Sequence, residues 1–177
     1  MTRRIAREPP PLNRVERILS EPDEQQRDAG YWRLYAEVHP SGKAPALNLL
    51  ETSRALEFLR HRRLSLRERA WLWKLLVCGT STSGAHEHAL ACLADEDTYV
   101  RGLAFLYLQT HAPDLVPELV ARFAQDRSPH IRHRIASTVT EPGRRRALLE
   151  GILPDVGQDH ELFDGIQLEL AALKDPA

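Results

Sequence analysis

The 177-residue sequence predicts an all-α protein. Three observations carry that expectation. Apolar residues recur at helical spacing along most of the chain, short breakers separate the periodic segments, and extended runs of alternating β-branched residues are absent. Hydrophobic residues make up 42% and charged residues 28%, a balance that builds a packed interior rather than a disordered chain.

The elements follow in order. An N-terminal pair of helices is expected at 12–20 and 23–38, then a loop at His39-Pro40-Ser41-Gly42-Lys43-Ala44-Pro45. Four further pairs are expected at 47–62 with 65–78, 85–94 with 97–110, 113–124 with 128–140, and 142–153 with 159–173. Ser65 and Glu68 have the spacing of a capping box at the start of the 65–78 segment. Val100, Leu103, Ala104, Tyr107 and Leu108 form the stripe of a half-buried helix, with Asp97 placed to cap it. Leu115, Val116, Leu119, Val120 and Phe123 mark the next helix. Ile131, Ile135 and Val139 mark the one after, started by Ser128 with Pro129 at its first position. The segment Gly79-Thr80-Ser81-Thr82-Ser83-Gly84 reads as the most flexible internal link. Residues 1–11, with three consecutive prolines, read as a flexible arm. The expected organisation is an arm at 1–11, a helical cap and loop at 12–45, and a repeat array at 46–177 continuous with the cap.

Segments of the array share a register. Asp95-Glu96-Asp97-Thr98-Tyr99-Val100-Arg101 aligns with Asp126-Arg127-Ser128-Pro129-His130-Ile131-Arg132 at an offset of 31. A step back of 34 puts Leu66-Arg67 under Val100-Arg101, and a step forward of 31 puts Leu162, Ile166 and Leu170 under Ile131, Ile135 and Val139. An Asp-containing turn followed by an aliphatic–Arg pair resembles the HEAT-like repeat family, and the resemblance covers roughly residues 47–173. It implies a right-handed α-solenoid of about four helix pairs with an N-terminal helical cap. It also implies a structural ladder in which Arg67, Arg101 and Arg132 pair with turn aspartates such as Asp95 and Asp126. Phe163 stands where the last arginine would be and the first unit lacks the aspartate, so both outer units read as end caps.

The formal net charge is −1, which argues against a protein that holds nucleic acid or membrane by bulk charge. That total hides bands: residues 53–74 and 122–146 are each +5, while 75–121 is −5 and 147–177 is −6. No apolar run approaches membrane-spanning length, no secretory signal is visible, and two cysteines are too few for a disulfide framework. A cytoplasmic protein is expected, monomeric or weakly oligomeric.

Trp71, Tyr99, Phe105, His130 and His133 fall off the core stripe of the second helices and are the candidate protein-binding strip. Trp71 and Phe105 can instead pack between repeats. Arg60, Arg63, Arg134 and Arg145 could grip phosphates if the basic bands faced one groove. Alkylpurine DNA glycosylases, which are HEAT-like and have such a groove, are similar in architecture only, because no catalytic aspartate maps onto this chain. His130 with His133, and His86 with His88, lack a third metal ligand at local spacing, so hydrogen-bonded histidines are expected. Cys78 and Cys92 read as buried filler. No nucleophile, phosphate-loop or dinucleotide motif is present. The sequence therefore points to a non-enzymatic protein-binding scaffold without a cofactor, such as an adaptor, an assembly factor or a toxin-neutralising immunity protein. The alternative is a nucleic-acid-binding protein.

Overall fold

A computed structural model of the chain describes residues 13–39, 46–61 and 63–173. The arm at 1–11 and loop residues 40–45 lie outside the described residues. Among the described residues are ten α-helices and no strand: α1 (Arg14–Leu19), α2 (Glu24–Val38), α3 (Leu49–His61), α4 (Leu66–Val77), α5 (Ser83–Cys92), α6 (Thr98–His111), α7 (Val116–Phe123), α8 (Pro129–Ala136), α9 (Pro142–Ile152) and α10 (His160–Ala172). Each expected helix has a counterpart. α8 stops at Ala136 rather than 140, and Pro113–Leu115 winds as a separate 3-10 turn ahead of α7. None of these helices is long and apolar enough to cross a membrane.

The chain divides into two compact units, Met1–Ala85 and His86–Ala177, with the boundary inside α5. In the first unit the helix starts do two jobs. Asn13, Asn48 and Ser65 each accept a hydrogen bond from the backbone N–H three residues on. The glutamates at those positions, Glu16, Glu51 and Glu68, return the bond to the cap N–H. Each glutamate also takes an arginine from another helix. Arg14 donates to both oxygens of Glu51 at 2.6 and 2.7 Å, Arg54 pairs with Glu16, and Arg27 donates to Glu68 at 2.8 Å. Glu51 is only 3% exposed. The Arg14 guanidinium holds its carboxyl below the ordinary range against the opposing pull of burial. Capping thus ties α1 to α3 and α2 to α4, around a core that includes Tyr31, Leu72, Trp73 and Leu76.

The start of the 79–84 link is pinned, which differs from the flexible link expected. Gly79 forms a bridge with Leu47. The N–H and hydroxyl of Thr80 both donate to the Leu47 carbonyl, at 3.1 and 3.0 Å. A Cβ on Gly79 would sit 2.7 Å from the Thr52 hydroxyl, so glycine suits the close approach.

In the second unit the organising residue is Arg101, 3% exposed. Its Nη1 donates to the carbonyls of Asp95 and Glu96 at 2.9 and 3.1 Å, and Nε and Nη2 grip Asp126 at 3.2 and 2.9 Å. Asp126 in turn accepts the N–H of Ser128 at 2.8 Å, at the start of α8. Of the two turn aspartates expected as partners, Asp95 and Asp126, Arg101 takes the Asp126 carboxylate. Arg132 reaches Asp155 at 2.8 Å. Arg67 does not belong to this series: it is mostly exposed and pairs with Asp28 on α2. The cap shows why. Asp97 caps α6 and Ser65 caps α4, so the two helices align at an offset of 32 rather than 34, and Arg69 occupies the position of Arg101. Arg27 holds the same position four residues after the cap Asp23, and its Nη1 likewise donates to the carbonyls of Glu21 and Pro22.

Replacing Arg101 by Met should leave Asp126 charged and buried without its partner. We expect a loss of about 3 kcal/mol in urea unfolding. The control Arg144→Met, on an exposed residue, should cost less than about 0.5 kcal/mol. Equal midpoints for the two variants would count against this role for Arg101.

Candidate protein-binding surfaces

In the first unit α2 packs against α4. Asp28, Trp32, Tyr35 and His39 recur at helical spacing on one side of α2, and Arg67, Trp71 and Lys74 do so on α4. The two rows meet. The Trp71 indole N–H donates to Asp28 Oδ1 at 2.7 Å, and Arg67 Nε donates to the same oxygen at 2.6 Å. Trp32 meets Trp71 edge-on with ring centroids 6.0 Å apart, Tyr35 lies 5.9 Å from Trp71, and the Lys74 ammonium sits 4.5 Å from the Trp71 ring centre. Trp32 remains 59% exposed. Trp71, expected as a surface contact, is the half-buried centre of this cluster. Trp32, its exposed outer member, was not singled out from the sequence. The signal for it was the Asp28–Trp32–Tyr35–His39 spacing on a helix read only as a cap.

The second unit places three more of the expected strip residues together. Tyr99 on α6 and His130 and His133 on α8 line a groove of about 620 Å³ that also includes Gly102 and Arg134. Tyr99 and His130 are exposed and His133 is half-buried. His130 Nε2 lies 2.9 Å from Asp159 and His133 Nε2 lies 2.8 Å from Glu169, both on the α10 side. Phe105 does not join them. It is 1% exposed, because α6 packs against α8 and against the 3-10 turn before α7 and buries most of its circumference. For Phe105 the surface reading is wrong and the packing alternative holds.

Two carboxylates beside this groove are shifted. Asp159 is held low first by the N–H of Leu162, which it caps, and then by His130, with desolvation opposing. For Glu169 desolvation pulls upward most strongly, yet the Arg145 and His133 donors outweigh it and the net shift is down.

The arginines considered for phosphate are in part committed. Arg145 pairs with Glu169, Arg60 donates to the Gly84 carbonyl at 2.6 Å, and Arg134 donates to the Gly102 carbonyl at 3.1 Å. Arg63 is exposed. Arg60 and Arg63 belong to the first unit and Arg134 and Arg145 to the second. Cys78 and Cys92 are half-buried rather than fully buried, and burial pushes the Cys78 thiol up. His86 stacks edge-on to Tyr107, and His88 lies 3.7 Å from Cys92 Sγ. Among the described residues no three His, Cys, Asp or Glu side chains gather in a metal-binding group.

No family model, curated protein or solved structure matches the chain. The functional reading therefore rests on the chemistry of these surfaces.

The lowered Glu169 carboxyl gives a pH dependence with a definite sign. Its stabilisation is complete above the ordinary value of 4.5 and is lost as pH falls through the depressed folded-state value. Glu169→Gln should lower the urea midpoint at neutral pH and flatten the decline of that midpoint below about pH 4.5. Parallel profiles for wild type and variant would contradict the assignment.

Proposed function

We propose that the chain is a non-enzymatic HEAT-like repeat protein, an α-solenoid that binds a protein partner through the faces formed by the second helices of its pairs. The observation that carries this reading is the Trp32–Trp71–Tyr35 cluster, with Trp32 59% exposed and charged residues beside it. Aromatic side chains bury large area at low entropic cost, and such rings dominate the energy of protein interfaces. Charged pairs around them contribute orientation and partner choice. An adaptor, an assembly factor or an immunity protein that occludes a toxin fits this chemistry. The free thiols Cys78 and Cys92 suit a reducing compartment such as the cytoplasm.

Nucleic-acid binding is the weaker reading, because Arg145 is neutralised by Glu169 and Arg67 by Asp28. The test begins with capture of partners from nuclease-treated native lysate and identification of a stoichiometric protein. Trp32→Ala should then weaken that complex by about 2 kcal/mol, roughly thirtyfold, with an unchanged far-ultraviolet helical signal. Undiminished binding by Trp32→Ala, or capture of nucleic acid alone before digestion, would overturn the reading.

A further inference from the structure

The groove between α6 and α8 has a chemistry of its own. Among the residues that line it, Thr98, Tyr99 and Arg134 carry a side-chain N–H or O–H, the Ser137 hydroxyl donates to the His133 carbonyl, and none is an aspartate or glutamate. The acidic groups lie on the other side of α8, where Asp159 and Glu161 line a separate groove with His130 and His133. The two imidazoles form the wall between the grooves, each anchored on its α10 side by a carboxylate. Arg134 differs from Arg101, Arg132 and Arg145, each of which pairs with a carboxylate. Among the described residues its hydrogen bond goes to a neutral acceptor, the Gly102 carbonyl. A guanidinium has five donors in a planar fork, so one seated this way keeps most of its capacity for an incoming anion.

From this we infer that the α6–α8 groove accepts a carboxylate side chain from an acidic segment of the partner protein. Arg134 makes the charge-assisted hydrogen bonds, His130 and His133 flank it, and Tyr99 covers the aliphatic part of the incoming side chain. The inference rests on the protein-binding reading and adds the chemistry of the partner. A monoanion is favoured over phosphate by charge balance. Arg134 supplies one full positive charge to the groove, which one carboxylate balances, while Asp159 behind His130 adds a repulsion that grows with the charge of the ligand.

The probe is a hexaglutamate peptide titrated into the full chain labelled with nitrogen-15, with hexalysine and oligothymidylate titrated in parallel. Hexaglutamate should shift the amide signals of Tyr99, Gly102, His130, His133 and Arg134. Arg134→Glu should weaken that response about tenfold while the rest of its spectrum overlays the wild type, and Arg134→Lys should retain most of it. Unmoved groove signals, a response indifferent to Arg134→Glu, or an equal response to oligothymidylate would overturn the inference. The Trp32→Ala capture experiment separates the two claims. A partner lost with Trp32, alongside a groove silent to hexaglutamate, defeats the carboxylate site alone.

Discussion

A carboxylate at the first turn of a helix, shared between its own backbone and an arginine from another helix, organises the first unit, and a turn aspartate gripped by an arginine does the same work in the second. The start of a helix presents unsatisfied N–H groups and a partial positive charge, so a carboxylate there is favoured before any tertiary contact forms. Its remaining lone pairs still need donors if it is buried. Glu51 finds them in Arg14 and Glu68 in Arg27, while in the second unit Asp126, two residues before the cap Ser128, finds them in Arg101. Local capping and long-range packing are therefore the same bonds. A helix that started one residue early or late would lose its cap and its neighbour together.

That dual use decides which charges remain for other work. An arginine buried in a cap–carboxylate pair cannot reach a ligand, and the rows of basic residues along the chain are thinned accordingly. The exposed chemistry among the described residues includes two arrangements. One is an aromatic seam on α2 and α4, held upright by the indole and guanidinium bonds to Asp28. The other is a groove on α6 and α8 with Arg134 in its lining. Hydrophobic anchoring and charge selection are the two demands of a specific protein interface, and under the proposed reading different helices would supply them.

Helix positions were legible because periodicity and caps are local properties of sequence: Asp97 and Ser65 mark true helix starts. That Arg101 would meet a turn aspartate was implied by the resemblance to HEAT-like repeats, which left Asp95 and Asp126 both open. Arg67 was misplaced for an instructive reason. Matching side-chain types put it under Arg101, whereas hydrogen-bonded registers are counted from the cap, and by that count Arg69 is the equivalent. Phe105 shows a different limit. Its position off the main stripe of α6 is a fact of the sequence, but whether a second layer covers that side depends on elements far along the chain. Trp32 was passed over because α2 carries its aromatic row among polar residues, and the row acquires meaning only when Trp71 lies against it.

The arginine four residues after the cap has a consequence for how such a chain can vary. Arg27 and Arg101 each reach back across the turn to the two carbonyls that precede the cap. Those turns are measured by the length of one side chain, and an inserted or deleted residue would pull the carbonyls out of reach. From Asp97 the cap positions continue to Ser128 and Asp159 in steps of 31 residues, with Arg132 and Phe163 at the place that Arg101 holds. Insertions and deletions in related sequences would then be kept out of the turns before α2 and α6.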